Sequence, residues 1–310
     1  MNKILVIVAH LNGGEYLRQQ IATILYQVDV DVTILIFDDL SDDLSLHTLM
    51  KDSRIVIINN QTRSGSPANN FFNGLKQISV DFLNEFEYVS FADADDYWLP
   101  LKLKNATILL TKDNAHVYFS NMIVLNEALN EYSILKKNYP QKKYDFLFEG
   151  AGAGCTCVIT REYAINLRKY LFTFDYSNWP KQKNNRPYFS HDWFIYFYAR
   201  LYNYKVTIDK NAYIIYRIHK NNDYGKINLK NFSAFKMRLE LITNGWYINQ
   251  LTNYKKLLNI NSIEYKICHY YTKNLFYRIY ILLKYNFNLM RSRTKYFKLF
   301  FLSIIPLKKI

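Results

Sequence analysis

Glycine and proline are scarce, at 9 and 6 of 310 residues, which excludes collagen-like repeats and linker-like composition. Cysteine is rarer still. Cys155, Cys157 and Cys268 cannot staple a chain of this length, and no Cys-x-x-Cys pair offers a structural zinc site, so a reducing compartment is expected. Long apolar runs are missing too: nothing approaches the ~20 residues of a membrane span, and the longest candidate, 297–307, is broken by Lys298 and Pro306. The first apolar run, about seven residues after Lys3, is too short for a signal-peptide core with its cleavage site and reads as a first strand. Together these absences predict a cytoplasmic protein. With half of its residues hydrophobic and 21% charged, the chain has enough apolar surface for a sizeable core, which excludes disorder.

Acidic residues are almost absent from one region. The net charge is +14, and residues 226–310 hold 16 Lys and Arg against only Glu240 and Glu264, which accounts for all of it. Residues 1–225 are neutral, so a boundary is expected near Gly225.

Residues 1–120 alternate two periodicities. Lys3–Ala9, Val30–Phe37, Arg54–Asn59 and Tyr88–Ala92 are continuous apolar strands. Gly14–Gln27, Ser66–Ser79 and Leu101–Thr111 carry helical spacing, with Pro67 at a favoured first-turn position. Strands apolar on both faces, alternating with helices, predict an α/β fold with a mostly parallel sheet flanked by helices. Such sheets bind ligands beyond the carboxyl ends of their strands. Here those ends carry His10 and Asn12, Asp38 and Asp39, then Asp93, Asp95 and Asp96. Residues 121–225 are less regular; they include a strand at Cys155–Thr160, a helix at His191–Tyr202 and a strand at Ala212–His219. Residues 226–310 read as helical.

The segment Phe91-Ala-Asp-Ala-Asp-Asp-Tyr-Trp-Leu-Pro100 places three carboxylates within four residues. Such a group is self-repelling, and burying it unpaired is costly. A hard divalent cation removes that cost and also binds diphosphate oxygens. An acidic turn capping the helix after Pro100 would use the same residues, and spacing alone leaves both readings open. The apolar flanks Val89–Ala92 and Trp98–Leu99 favour a functional site, which a solvated turn would not need.

This segment resembles the FADxDDxWxPxKL signature of family 2 glycosyltransferases with the GT-A fold, in particular the bacterial rhamnosyltransferase-like members. The matching residues are Phe91, Ala92, Asp93, Asp95, Asp96, Trp98, Pro100, Lys102 and Leu103. Six further segments agree in order. They are Ala9-His-Leu-Asn12 with Tyr16-Leu17 and Gln27, Phe37-Asp-Asp-Leu-Ser-Asp42, Asn69 to Lys76, Gly154-Cys-Thr, His191-Asp-Trp193, and Tyr216-Arg-Ile-His219-Lys-Asn-Asn222. The resemblance covers 3–225. Leu11 stands where the family commonly has an aromatic, and Leu40 where it commonly has glycine.

The resemblance implies a GT-A domain over 1–225, with a nucleotide half at 1–120 and an acceptor half at 121–225. It implies an inverting enzyme that moves a sugar from a dTDP- or UDP-sugar, with dTDP-rhamnose as first donor, to an undecaprenyl pyrophosphate-linked saccharide. Asp39 would accept the imide N–H of thymine or uracil, with Asp38 beside it and Ala9, His10, Leu11, Asn12 and Arg63 around the nucleotide. Asp93, Asp95 and His219 would hold Mg²⁺ or Mn²⁺, with Ala94 and Asp96 alongside at the donor. Asp192 would be the general base. Trp98, Cys155, His191, Trp193, Arg217 and His219 are candidates for acceptor or diphosphate contact. Plainer roles exist for the same residues: Asp38, Asp39 and Asp192 as helix caps, His191 and His219 as buried histidines, Cys155 and Cys157 as packing residues, and Arg63 and Lys220 as solvated surface.

The region 226–310 carries 17 aromatic residues among its 16 basic ones. This composition suits helices lying on an anionic inner leaflet, with Tyr296–Ile310 as the anchor; an ordinary aromatic-cored helical domain is the other reading. Two other function classes use some of the same features. Clustered aspartates also serve metal-dependent phosphoryl transfer. A +14 tail also suits nucleic acid, although no helix-turn-helix, zinc or RNP-type signature accompanies it, so no nucleic acid is expected.

Overall fold

A computed structural model describes residues 1–176, 179, 190–219 and 245–304. The expected boundary at Gly225, Lys220 and the last residues of the anchor, 305–310, lie outside them. The chain divides into two compact units. One comprises Met1–Asn138, Ala151–Asn178 and Ser190–His219; the other comprises Tyr139–Gly150, Trp179–Phe189 and Lys220–Ile310.

The first unit is built on a nine-stranded sheet. β1 (Asn2–His10), β2 (Val30–Asp38), β3 (Ile55–Asn59) and β4 (Tyr88–Asp93) form its parallel part, in the order β3-β2-β1-β4. Ile4 to Val8 of β1 have no exposed surface, as continuous apolar runs in a doubly covered sheet should. Helices α1 (Gly14–Leu25), α2 (Pro67–Gln77) and α4 (Lys102–Lys112), with the single turn α3 (Val80–Leu83), fill the crossovers. α2 begins where the sequence places it: the Ser66 side chain accepts from the Asn69 amide and Pro67 occupies the first turn.

Beyond β4 the sheet is mixed. β8 (Val158–Thr160) pairs antiparallel with β4 and with β6 (Val117–Asn126). The long β9 (Val206–Ile218) lies parallel to β6 and pairs antiparallel with the short β5 (Tyr97–Trp98), and β7 (Glu131–Leu135) closes a hairpin on β6. The parallel arrangement expected from the strand–helix alternation holds through residues 1–93 and recurs in the β6–β9 pair, while β5, β7 and β8 pair antiparallel. The expected strand at Cys155–Thr160 begins only at Val158, because Gly154–Thr156 winds into a 3₁₀ turn. Helices α5 (Arg161–Leu171) and α6 (His191–Leu201) complete this unit.

In the second unit the described helices are α7 (Trp246–Leu257), α8 (Ile263–Lys273), α9 (Leu275–Tyr285) and α10 (Arg293–Ile304). Asn274 ends α8 and caps α9, its side chain accepting from the Tyr277 amide at 3.0 Å. Tyr254, Tyr271 and Tyr296 are buried, and the Tyr271 hydroxyl bonds Ser303 Oγ at 2.6 Å. The segment 139–150 packs into this unit through Glu149, which receives Lys295 Nζ and the Arg291 amide, each at 2.6 Å. Among the described residues no helix is long and apolar enough to cross a membrane.

Candidate active site

The parallel register sets the site. Ala9 pairs with Phe37 on one side and Asp93 on the other, His10 lies opposite Asp38, and Asp38 opposite Asn59. Three strands thus deliver their polar ends to one edge of the sheet.

At β2 the two aspartates do different work. Asp38 is a turn former: its carboxylate accepts from the Ser41 hydroxyl at 2.5 Å and from the Ser41 amide. Asp39 Oδ1 accepts from the Ser64 amide at 2.7 Å and from Asn60 Nδ2 at 2.9 Å, while Oδ2 has no hydrogen-bond partner among the described residues. The Asp39 carboxylate is therefore held rigidly with one acceptor oxygen to spare. Asn12 ties the two loops together, its side chain accepting from the Asp42 amide and its own amide donating to Ser41. Leu11 is exposed, and Arg63 is exposed next to Ser64. His10 is buried instead: Nε2 is 2.9 Å from Ser45 Oγ, and burial pushes its pKa down despite Asp38 and Asp43 nearby.

At β4 the acidic loop splits. Asp93, Ala94 and Asp95 are half-buried, whereas Asp96 is fully buried and neither of its oxygens has a hydrogen-bond partner. Burial, then the charges of Asp95 and Asp93, hold its carboxyl well above the usual carboxylate range. Ligand atoms of Asp93, Asp96 and Cys155 lie within 4.8 Å of one another. Burial likewise pushes the Cys155 thiol up, so sulfur is a poor partner for a hard cation there. Asp95 Oδ2 is 3.0 Å from His219 Nε2. Clustered carboxylate oxygens with an imidazole beside Asp95 are donors of the kind that hold a divalent cation.

Some of these contacts come from Arg217, which the sequence offered for acceptor or diphosphate contact, and others from Tyr16, Gln19, Asn60 and Ser64, to which it gave no role. Arg217, nearly buried, donates from Nε to the Asp95 carbonyl at 2.6 Å and from Nη2 to the Asp96 carbonyl at 3.2 Å, and also bonds Gln19. Tyr16 stacks on His219, and Asn60 and Ser64 orient Asp39. Tyr16 lies within a quoted motif, but the contacts of Asn60, Ser64 and Gln19 exist only through chain-distant pairing. Trp98 lies in the core, 1% exposed, with Lys102 Nζ 3.3 Å from its ring centroid. Burial lowers the Lys102 pKa to about 7, and its ammonium donates to Ser90 Oγ at 3.0 Å.

α6 brings the third group. His191 is buried against Phe71, with ring centroids 4.3 Å apart, and burial lowers its pKa. Trp193 is buried as well. Asp192 is half-buried at the helix start; Oδ1 accepts from the Ser190 hydroxyl and from the Trp193 amide, and Oδ2 has no partner among the described residues. The 3₁₀ turn joins α6 to the acidic loop, since Gly154 packs on His191 and the adjacent Cys155 stands by Asp93 and Asp96.

The model of Glycosyl transferase family 2 matches residues 5–285. The chain is 34% identical over 249 residues to the dTDP-rhamnosyl transferase RfbG of Shigella flexneri, covering 79% of this chain and 82% of that protein. It is 28% identical over 282 residues to the GalNAc(5)-diNAcBac-PP-undecaprenol beta-1,3-glucosyltransferase of Campylobacter jejuni, covering 83% and 86% respectively. Among solved structures it resembles residues 1–349 of S. aureus TarS in complex with UDP-GlcNAc, with a TM-score of 0.53 at 14% identity over 93% of this chain and 81% of that one, a likeness of fold.

Proposed function

The chain belongs to glycosyl transferase family 2, and on that premise we propose that it transfers L-rhamnose from dTDP-rhamnose to an undecaprenyl pyrophosphate-linked oligosaccharide of a cell-surface polysaccharide, with inversion. It is a glycosyltransferase with the GT-A fold; the donor and acceptor are our assignment. The donor rests on the similarity to a protein named for dTDP-rhamnose, and the acceptor on relatives named for diphosphoundecaprenol substrates.

The observation that carries the chemistry is the carboxylate cluster at the end of β4, with Asp96 buried and Asp93 and Asp95 half-buried, together with the anchored Asp39 at the end of β2. Asp39 Oδ2 accepts the imide N–H of thymine. Asp93, Asp95 and His219 would hold Mg²⁺ or Mn²⁺, which would supply positive charge for the departing diphosphate. Asp192 Oδ2 takes the proton of the acceptor hydroxyl, whose oxygen bonds the anomeric carbon as the bond to the nucleotide diphosphate breaks. The bonds from Ser190 and Trp193 hold that carboxylate, so its free oxygen has a fixed direction. His191, neutral and packed under the 3₁₀ turn, sets where α6 begins.

The acceptor would be met at the inner leaflet, by peripheral association. α9 exposes Phe276, Tyr280 and Leu283, one helical face, with Lys284 beside them; α10 exposes Phe297 and Phe301 beside Lys298. Exposed aromatics bordered by lysines suit an anionic interface. Cosedimentation with phosphatidylglycerol vesicles at low salt tests this, and binding no stronger than to phosphatidylcholine would reject it.

The donor reading is tested by thermal shift with dTDP, UDP, GDP and CDP, each with Mn²⁺ or chelator. A Mn²⁺-dependent rise with dTDP is expected; a rise with UDP alone would move the donor to a UDP-hexose, and no rise with any nucleotide would overturn the assignment. Asp192→Asn should abolish transfer from dTDP-rhamnose while keeping that rise. Wild-type turnover by this variant would remove Asp192 from the base role.

A further inference from the structure

His219 follows the last residue of β9, so the strand ladder does not set the direction of its ring. Yet Nε2 lies 3.0 Å from Asp95 Oδ2. The orienting surface comes from the other end of the chain. The Tyr16 ring, on the first turn of α1, is stacked on the His219 imidazole with centroids 4.2 Å apart and planes 17° apart. Tyr16 is itself held at two points. Its hydroxyl donates to Glu127 Oε2 at 2.6 Å, beyond the end of β6, and its ring lies 4.6 Å from the Arg217 guanidinium. That guanidinium also grips the Asp95 and Asp96 carbonyls. One aromatic ring therefore touches both the imidazole and the group that fixes the acidic loop.

We propose that Tyr16 is a positioning residue, which together with Glu127 and Arg217 sets the imidazole of His219 against Asp95 so that the pair is organised for a divalent cation. The proposal rests on the reading of Asp93, Asp95 and His219 as a cation site. The tyrosine hydroxyl is committed to Glu127. Its contribution is the flat face: two near-parallel rings in contact allow the imidazole to slide but resist its rotation out of plane. Groups that orient a metal-binding histidine typically alter metal affinity by ~10–100-fold. A stack lacks the direction of a hydrogen bond, so the lower end of that range is expected here.

The test is Mn²⁺ binding to the full chain, followed by electron paramagnetic resonance with and without dTDP, in wild type, Tyr16→Phe, Tyr16→Leu and Tyr16→Ala. Tyr16→Ala and Tyr16→Leu should bind Mn²⁺ about ten-fold more weakly, while dTDP binding in chelator stays at the wild-type value. Tyr16→Phe keeps the stack and should remain within about three-fold of wild type. Leucine keeps the apolar volume without the ring face, so it separates orientation from folding should alanine unfold the loop. Wild-type Mn²⁺ affinity in Tyr16→Leu overturns the proposal, as does an equal loss of chelator-resistant dTDP binding, which would mark a merely structural role. A wild-type chain that binds no Mn²⁺ even with dTDP overturns the cation reading first, and this proposal with it.

Discussion

A Cβ added to Gly154 would lie 1.9 Å from His191 Nε2, so the 3₁₀ turn before β8 and the start of α6 meet with no room for a methyl group. This contact couples the helix carrying Asp192 to the turn carrying Cys155. Gly154→Ala must push one of them away. Overpacking of this kind costs about 1–3 kcal/mol. Urea unfolding should show that loss, with turnover falling further than donor affinity because Asp192 moves with α6. Unchanged stability would mean that the turn relaxes freely.

Leu40 has φ +62, in the left-handed region that disfavours side chains, and it is 39% exposed, so little packing compensates. Leu40→Gly removes strain of about 1 kcal/mol, partly offset by the greater freedom of glycine in the unfolded chain. The expected outcome is a small rise in the urea midpoint with unchanged dTDP affinity. A clear fall would show that the Leu40 side chain contributes contacts.

Asp39 should govern nucleotide affinity. Asn60 and Ser64 anchor one oxygen, and the other is left for the imide N–H. Asp39→Asn removes a charge-assisted hydrogen bond, a loss of about 1.5–3 kcal/mol, so the dTDP dissociation constant should rise roughly 10–100-fold with Tm little changed. Calorimetry decides this.

His10 and His191 are both buried, and burial holds their pKa values below 6.5. Below pH 6.5 the unfolded chain therefore binds more protons than the folded one, and stability falls as pH drops toward the folded values. Above pH 6.5 both states are neutral and this contribution is constant. Unfolding free energies measured from pH 7.5 to 5 should slope downward, and His10→Gln or His191→Gln should each flatten the slope. An unaltered slope in both variants would assign the acid sensitivity elsewhere.

Glu149 joins Arg291 and Lys295 within the second unit. Although burial raises its pKa, the charges of Arg291 and Lys295 hold the carboxyl below its ordinary 4.5. Its stabilisation is present above that value and is lost as pH falls through the lower folded one. Glu149→Gln removes the nearer of two carboxylates that face the buried Arg291, leaving Asp145 Oδ2 at 4.0 Å, and should cost up to about 3 kcal/mol. Hydrogen exchange should accelerate across α10 while dTDP binding persists. It also follows that cutting the chain near 225 would separate 139–150 from its partners.

Strand β1, helix α2 and the parallel run through β4 were legible from residue order, because their signals are local: apolar periodicity, a Ser–Pro start, polar residues at strand ends. Strand β6 was not, since it is held by the distant β8 and β9, and its hairpin partner β7 is exposed along most of its length and carries no apolar run. Sequence motifs brought Asp39, Asp95, Asp192 and His219 into view. They could not show that Trp98 is a core residue or that Tyr16 faces His219.

The amino-acid sequence by itself determined the family, the α/β alternation and which carboxylates stand at strand ends, because these depend on residue type and short-range spacing. Only the tertiary structure decided the inequality among those carboxylates. Asp38 closes a turn, Asp39 keeps one oxygen free, Asp95 meets His219, and Asp96 is buried without a partner. The physical reason is that burial and hydrogen-bond supply are set by chain segments far apart in sequence: Asn60 and Ser64 for Asp39, β9 for Asp95, and the 3₁₀ turn at Gly154 for Asp96. Identical side chains therefore acquire different chemistry from neighbours that local sequence does not reveal.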